Sequence, residues 1–159
     1  MKKLKLYLET SIWSYYYSED IQCKMEATRE FLQVVRKGNY DIYISRFVYQ
    51  EINNTEDFKR NQLLKLICAY KPVELEVTSE AYKLADKYIK THTLPRSSHT
   101  DAMHVATASI YNLDALISWN CRHLANLNRK SRINGINIQN NYKAIDIITP
   151  MEVMYYERR

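Results

Sequence analysis

Four polar side chains, three carboxylates and one amide, follow or adjoin apolar segments that lie far apart in the sequence: Glu9, Glu51, Asp101 and Asn120. Glu9 and Asn120 directly follow the first and fourth segments, and Asp101 opens a predicted helix. If the segments are parallel strands, their carboxyl ends meet at one edge of a sheet and these side chains can converge. Gathered carboxylates repel each other unless a cation neutralises them, and Mg²⁺ takes oxygen ligands. The pattern therefore predicts a metal site able to polarise a phosphodiester and activate water.

Each of these residues also has a plainer interpretation. Asp101 could be only a helix cap, and Glu9 and Glu51 could be solvated surface charges. His104 lies three residues after Asp101 on the same predicted helical face, where it could orient a carboxylate or bind a phosphate. A histidine of the core or of an interface is the alternative at this position.

Basic and aromatic side chains near the acidic positions suggest contacts with a nucleic acid. Arg96 lies in a predicted loop, and Arg122 begins a basic stretch after the fourth apolar segment. Both could hold nucleic-acid phosphates, with a solvated basic surface as the alternative. Trp13 and residues 15–17, all tyrosines, could stack bases. Packing between helices or a contact between two chains would use the same aromatic residues.

The composition narrows the class of protein. The chain has 159 residues, 46% hydrophobic and 26% charged, as expected for a single folded domain over residues 1–159. The net charge of +5 and the pI near 9.0 mildly favour a polyanionic partner. Only two glycines are present, which argues against a glycine-rich phosphate loop. The four histidines form no HExxH pattern, and no GxSxG pattern supports a serine nucleophile.

The cysteines and the first residues of the chain indicate in which cellular compartment the protein is expected. Cys23, Cys68 and Cys121 are odd in number, far apart and form no CxxC pair. This predicts reduced thiols rather than a disulfide framework or a zinc site. The first residues contain no apolar signal-peptide segment, and no run approaches the roughly 18 apolar residues of a membrane span. We therefore expect a cytoplasmic protein.

Strand and helix patterns alternate along the chain. Helical spacing predicts a helix over 21–37, one capped by Ser45, one opened by Ser98-x-x-Asp101 in the manner of a capping box, and a last helix with Pro150 at its first position. Short apolar runs predict strands at 4–8, 41–45, 73–77, 115–119 and 144–148. This alternation predicts an α/β fold with a mostly parallel sheet covered by helices on both faces.

Four segments occur in an order that is informative as a set: LYLETSIWSYY (6–16), DIYISRFVYQEI (41–52), TDAMHVATASIYNLDALISWNCRHLAN (100–126) and IITPMEVM (147–154). The third is the most specific, because an Asp opens a helix with a DA-x-H-x-A pattern and a hydrophobic strand then ends in a WN pair. In these segments the chain resembles the PIN-domain proteins, and within them the VapC-like toxin branch. The resemblance implies a PIN-like three-layer α/β/α fold with a central, mostly parallel sheet of about five strands.

The resemblance also implies an activity and the residues that perform it. It implies a Mg²⁺- or Mn²⁺-dependent ribonuclease, and the VapC branch typically cuts RNA as the toxin of a toxin–antitoxin pair and is commonly a dimer. Thr10 matches a small hydroxyl residue that could contact a metal-bound water or a phosphate. We expect Thr10, His104, Arg96 and Arg122 to contact the substrate. The family's acidic metal and catalytic positions match Glu9, Glu51, Asp101 and Asn120.

Two positions depart from the family pattern. The first acid is usually Asp, and Glu9 is one methylene longer, which would push its carboxylate outward by roughly one C–C bond. The fourth position is often Asp, whereas Asn120 is neutral. A unit charge at about 4 Å is worth roughly 4 kcal/mol at an effective dielectric constant near 20. We therefore expect one firmly held metal ion and a weaker second one.

Two further functions stay open from the sequence. Glu9 and Asn120 motivate a PIN fold that binds RNA or a partner protein but no longer cuts. A structure-specific DNA nuclease is the third possibility, because folds related to this family act on DNA flaps.

Overall fold

Five short strands form one fully parallel sheet at the centre of the molecule. The computed structural model describes residues 2–120, 122–124 and 126–157. The strands are β1 (Leu4–Leu8), β2 (Tyr40–Ser45), β3 (Val73–Leu75), β4 (Ala115–Ile117) and β5 (Asp146–Ile148). They are arranged in the order β3-β2-β1-β4-β5, and every neighbouring pair is parallel. The predicted α/β class with about five strands is confirmed.

Eight α-helices cover the sheet in the described part of the chain, and a 3-10 turn at Arg96–Ser98 precedes the sixth. They are α1 (Thr10–Tyr15), α2 (Gln22–Arg36), α3 (Arg46–Asn53), α4 (Asp57–Tyr70), α5 (Ser79–Lys90), α6 (His99–Ile110), α7 (Leu127–Gln139) and α8 (Pro150–Glu157). None of these helices combines the length and the apolar character that crossing a lipid bilayer requires.

The two faces of the sheet bury two separate apolar clusters. Leu6 and Leu8 point to one face, where residues of α1, α2, α4 and α8 pack against them. Tyr7 points to the other face, which is covered by α5, α6 and α7. This alternation follows from the two-residue period of a strand. The predicted three-layer α/β/α arrangement is therefore confirmed.

The order of the strands places a crevice beside β1. The chain runs from β1 outward to β2 and β3, then returns to the other side of β1 to form β4 and β5. β1 pairs with both β2 and β4, with Leu8 opposite Ile117 at the carboxyl end. A reversal of strand order of this kind opens a crevice at the carboxyl ends of the two strands. Glu9 follows β1 at this crevice.

Some predicted element boundaries differ from the structure. β4 ends at Ile117 rather than at Trp119. The Ser118 N–H still donates to Ile148 of β5, but the N–H groups of Trp119 and Asn120 donate to serine hydroxyls instead of to a strand. The prediction of a capping box at Ser98 was wrong: Ser98, the last residue of the 3-10 turn, has φ −101° and ψ 29°, and its side chain makes no cap hydrogen bond. Ser45 does cap α3, through its hydroxyl and the Phe47 N–H, as predicted.

Two helices were not predicted. α1 begins directly after Glu9, and α7 begins at an Asn126 cap within a polar, basic stretch. The thiols of Cys23 and Cys68 are free and exposed. Cys121 lies outside the described residues.

Candidate active site

A cleft of about 490 Å³ lies at the carboxyl ends of β1 and β4. All four predicted metal positions line it, and so does the predicted phosphate contact Arg122. The strand ends thus bring together side chains that are up to 111 residues apart in the sequence. Four side chains without a predicted metal or phosphate role complete the lining: Ser11, Tyr15, Lys24 and Trp119.

Groups close to the strand ends hold the carboxylate of Glu9, which is only 4% exposed. Its Oε1 accepts from the Ser11 N–H at 3.2 Å, which makes Glu9 the N-cap of α1. Its Oε2 accepts from the hydroxyls of Ser11 and Ser118 at 2.6 and 2.7 Å. The Glu9 side chain thus folds back over the start of the helix that follows it.

The direction of the hydrogen bonds around Glu9 is fixed by the backbone. The Ser11 hydroxyl accepts from the Trp119 N–H and the Ser118 hydroxyl from the Asn120 N–H, both at 2.9 Å. A serine hydroxyl has one proton to donate, so each serine directs its proton to Glu9. The arrangement therefore suits Glu9 as an ionised carboxylate, which only accepts hydrogen bonds.

Glu51, in the second half of α3, is held by two side-chain donors on a single oxygen. Its Oε1 accepts from the Thr10 hydroxyl at 2.6 Å and lies 2.5 Å from His104 Nε2. Burial acts to raise the pKa of Glu51, but its interactions with His104 and with the Thr10 hydroxyl outweigh burial and lower the pKa. Glu51 is thus a carboxylate at neutral pH and leaves its second oxygen for another partner.

A buried chain of hydrogen bonds continues from Glu51 through the sheet. His104 is fully buried, and its Nδ1 lies 2.5 Å from the Tyr7 hydroxyl, which lies 2.7 Å from the Ser45 hydroxyl. Burial raises the pKa of Tyr7 far above its usual value, so the phenol keeps its proton. The directions that satisfy every atom run from Ser45 to Tyr7, from Tyr7 to Nδ1, and from the Nε2–H to Glu51.

Asp101 lies in the first turn of α6 and lines the cleft. Burial and the nearby charge of Glu9 raise its pKa to about 6, against the opposing effect of His104. Its Oδ2 accepts from Asn120 Nδ2 at 3.3 Å. The Asn120 Oδ1 accepts from the His123 N–H at 3.2 Å, so the amide presents its donor side to Asp101.

The donor set suits a hard divalent cation. Glu9, Glu51 and His104 each offer one ligand atom, and these atoms lie within 4.8 Å of one another. Both ring nitrogens of His104 already have partners, so His104 orients Glu51 while the carboxylate oxygens remain available to a cation. Three carboxylates with open lone pairs are the ligands that Mg²⁺ and Mn²⁺ prefer.

The predicted substrate contacts divide into three groups. Arg122 lines the cleft. Thr10 and His104 lie beside it, but both bind Glu51, and their geometry favours orienting this carboxylate over touching a substrate. Arg96 is not brought to the acidic cleft and lines a separate one between the end of α5 and the start of α6.

Sequence reasoning missed several residues that shape the site. Ser11 stands in the ETS triplet and Ser118 in the ISWN segment, so each lies beside a predicted ligand. Tyr7 is hidden within an apolar strand. Lys24 carries no local signal, because only the packing of α2 brings it to the cleft. Trp13, considered for base stacking, is fully buried in the core.

The fold and the site together define a class of protein, a parallel α/β domain with an acidic cleft at the reversal of its strand order. The sequence model of the PIN domain family matches residues 6–125, and the chain belongs to this family. The resemblance noted in the sequence is thereby confirmed. A search of curated proteins found no match.

Solved structures carry the same fold. A chain of VapBC2 from Rickettsia felis, in a crystal structure with a DNA fragment from their promoter, matches with a TM-score of 0.62 and 14% identity over 92% of this chain and 98% of that chain. A chain of FitAcB from Neisseria gonorrhoeae matches with a TM-score of 0.54 and 16% identity, over 92% and 98%. A chain of FitAB bound to an IR36 DNA fragment matches with a TM-score of 0.55 and 13% identity, over 91% of this chain and 94% of that chain.

Proposed function

We propose that the chain is a metal-dependent endoribonuclease that hydrolyses RNA phosphodiester bonds. The observation that carries the proposal is the gathering of Glu9, Glu51 and Asp101 in one cleft, where burial and the charge of Glu9 raise the pKa of Asp101 to about 6. Such a cluster is stabilised by a cation. Membership of the PIN family supports nuclease chemistry, because PIN domains are generally nucleases.

Glu9, Glu51 and Asp101 would hold Mg²⁺ or Mn²⁺ directly or through water. When bound, the cation neutralises charge on the phosphate and lowers the pKa of a water. Thr10 and His104 keep Glu51 in one orientation, and Asn120 keeps Asp101 in place. Hydrolysis adds water across the bond between phosphorus and the 3′ oxygen, and leaves a 5′-phosphate and a 3′-hydroxyl.

The proposal includes the surroundings of the reaction. Arg122, on the cleft wall, holds an RNA phosphate. The structural neighbours come from two-component VapBC2 and FitAB complexes, which supports a small antitoxin as a protein partner. We also include a homodimer, a single domain over residues 1–159 and a cytoplasmic location. Co-purification with the product of the adjacent reading frame and the mass in solution test the assembly.

The test combines metal binding and cleavage on the same samples. Mn²⁺ titration by calorimetry and cleavage of an end-labelled RNA are measured for the wild type and for Asp101→Asn, which keeps the shape of the side chain. Both signals are expected in the wild type and both fall at least about tenfold in the variant. Circular dichroism controls for folding. Cleavage by Asp101→Asn at the wild-type rate would remove Asp101 from the role.

A second candidate function is a module that binds RNA or a partner protein without cutting it. Two observations favour it: Glu9 already accepts three hydrogen bonds, and Asn120 presents a donor where the family often has an acid. RNA binding in the absence of metal, with no cleavage at high Mn²⁺, would establish this function. Competition between single-stranded RNA and flap DNA separates both candidates from a DNA nuclease.

A further inference from the structure

Lys24 brings a positive charge into the cleft that holds the three carboxylates. It lies in the first turn of α2, is half-buried, and lines the cleft together with Glu9 and Asp101. None of the ion pairs within residues 2–120, 122–124 and 126–157 includes it, so no described carboxylate approaches its nitrogen within 4.0 Å. The ammonium-bearing side chain therefore lines the acidic cleft without an ion pair to any described carboxylate.

Two aromatic rings hold the head of this lysine. Its Nζ lies 5.2 Å from the centre of the Tyr15 ring and 5.7 Å from that of Trp119, both within cation–π range. The Trp119 Nε1–H donates to the Thr28 hydroxyl at 2.8 Å, and this hydroxyl donates to the Lys24 carbonyl oxygen at 2.6 Å. The helix turn that carries the lysine is thus tied to the segment that follows β4.

The stability of α2 does not explain a lysine at this position. The start of a helix carries a partial positive charge and favours acidic residues. The first turn of α2 contains no acidic residue, and Ile21 at its cap position makes no side-chain cap bond. Lys24 adds a further positive charge where the helix already disfavours one. An anion bound in the cleft would turn this unfavourable placement into a favourable one.

Asn120 leaves the cleft one negative charge short of a four-acid site. Its Nδ2 faces Asp101 and its Oδ1 is bonded to the His123 N–H, so no amide oxygen faces a second cation. In two-metal hydrolysis, two positive centres stabilise the attacking and the leaving oxygens. Here, the neutral Asn120 occupies the position of a fourth acid, and the ammonium-bearing Lys24 lines the same cleft.

We propose that Lys24 takes the place of a second metal ion: in a cleft that binds one divalent cation, its ammonium group binds a non-bridging oxygen of the RNA phosphate that is cut. The identity of the substrate rests on the proposed function. The charge arrangement itself applies to any phosphodiester, since the ammonium recognises the phosphate and not the base.

Three variants isolate the charge. Lys24→Met removes the charge and keeps an unbranched apolar stem over Tyr15 and Trp119, whereas Lys24→Arg keeps the charge. Lys37→Met is the matched control, because Lys37 is exposed at the opposite end of the same helix, about 20 Å away along its axis.

Metal stoichiometry and single-turnover cleavage are measured for each variant. Calorimetry is expected to give one Mn²⁺ per chain in the wild type and in all three variants. Single-turnover RNA cleavage is expected to fall about 100-fold in Lys24→Met, the size of loss seen when one donor to a developing charge is removed. Lys24→Arg should recover most of the rate, and Lys37→Met should match the wild type.

A double variant tests the replacement directly. In Lys24→Met with Asn120→Asp, the fourth acid returns and the competing cation is gone. This chain is expected to bind two Mn²⁺ and to recover at least about tenfold of the lost rate, because the second metal again stabilises the phosphate. Two Mn²⁺ per wild-type chain, or cleavage by Lys24→Met at the wild-type rate, would overturn the proposal.

Binding without catalysis separates this proposal from the proposed function. Fluorescence anisotropy of a labelled RNA in EDTA is expected to show an affinity about three- to tenfold lower for Lys24→Met than for Lys37→Met, because one phosphate contact is lost. If the wild type cuts no RNA, the proposed function fails, while a loss confined to Lys24→Met still supports the phosphate contact. Equal affinities in the two variants would reject it.

Discussion

Glu9 and Glu51 face the same cleft but are held in different ways. The groups that bind Glu9 are small and lie at the strand ends: a backbone N–H and two serine hydroxyls whose directions are set by neighbouring amides. Glu51 depends on side chains, above all on His104, which is in turn fixed by Tyr7 from the central strand. The position of Glu9 is therefore a property of the strand ends, whereas that of Glu51 is a property of the core beneath them.

The largest expected effect comes from removing the histidine that links Glu51 to the core. His104→Leu removes one hydrogen-bond partner from Glu51 and one from the buried Tyr7 hydroxyl, so the free energy of unfolding should fall by about 3 kcal/mol. His104→Gln keeps a donor near the position of Nε2 and should lose less than half as much. Urea unfolding in EDTA measures both. Equal losses would mean that packing alone, and not the hydrogen bond, matters at this position.

Tyr7→Phe sharpens the comparison, because it leaves the shape of the core unchanged. Tyr88→Phe is its control, since Tyr88 is also fully buried and its hydroxyl bonds to Asn137, outside the cleft. Each variant should lose about 1–2 kcal/mol of stability. Only Tyr7→Phe should also weaken Mn²⁺ binding, by about tenfold, because it loosens His104 and with it Glu51. Similar Mn²⁺ affinities in the two variants would show that the buried chain does not reach the metal site.

The charges of both Glu9 and Glu51 raise the pKa of Asp101, which makes the cleft sensitive to pH. Its pKa of about 6 in the folded protein exceeds the usual 3.8, so the folded state binds this proton more tightly than the unfolded chain. The penalty for the charge is therefore absent below about pH 4, grows as the pH rises, and is complete above about pH 6. In EDTA at pH 8, Asp101→Asn should be more stable than the wild type by about 1–2 kcal/mol, and the gain should shrink steadily towards pH 4.

The smallest expected effect is the difference between Glu9 and Glu51 in how far each raises the pKa of Asp101. The charge of Glu9 raises the pKa of Asp101 more than that of Glu51 does, although burial remains the largest cause. Glu9→Gln should therefore lower the pKa of Asp101 further than Glu51→Gln, by a difference of a few tenths of a unit. NMR titration of the Asp101 carboxyl carbon in metal-free protein measures this. The reverse order would indicate that Glu51 lies closer to Asp101 in solution.

Much of the fold could be predicted from alternating apolar patterns, and the limits of that prediction have local causes. The predicted strands at 73–77 and 115–119 each end in an apolar residue, yet the observed strands end two residues earlier, at Leu75 and Ile117. In β4 the reason is that the amides of Trp119 and Asn120 bind serine hydroxyls, which no apolar pattern encodes. The helix α7 was missed because its sequence is polar and basic.

The site residues that lie at strand ends could be predicted from the sequence. Those that reach the cleft through the packing of helices and core side chains were missed. Glu9 follows β1 directly and Asn120 lies three residues after the end of β4, so topology alone brings them to one edge of the sheet. The alternatives for His104 could not be separated in the sequence, because its role depends on Tyr7, which lies 97 positions earlier. Lys24 reaches the cleft through the packing of a helix, and its neighbours in sequence give no sign of this.

The hydrogen bond between Glu9 and Ser118 spans 109 positions of the chain. At a synthesis rate of about 5–20 residues per second, Ser118 leaves the ribosome roughly 5–20 seconds after Glu9. Until β4 docks beside β1, Glu9 lacks the Ser118 hydroxyl, and the Ser11 hydroxyl lacks the Trp119 N–H that orients it. An unfinished chain therefore carries Glu9 and Glu51 but no assembled cleft, and the cleft forms only once β4 has been synthesised.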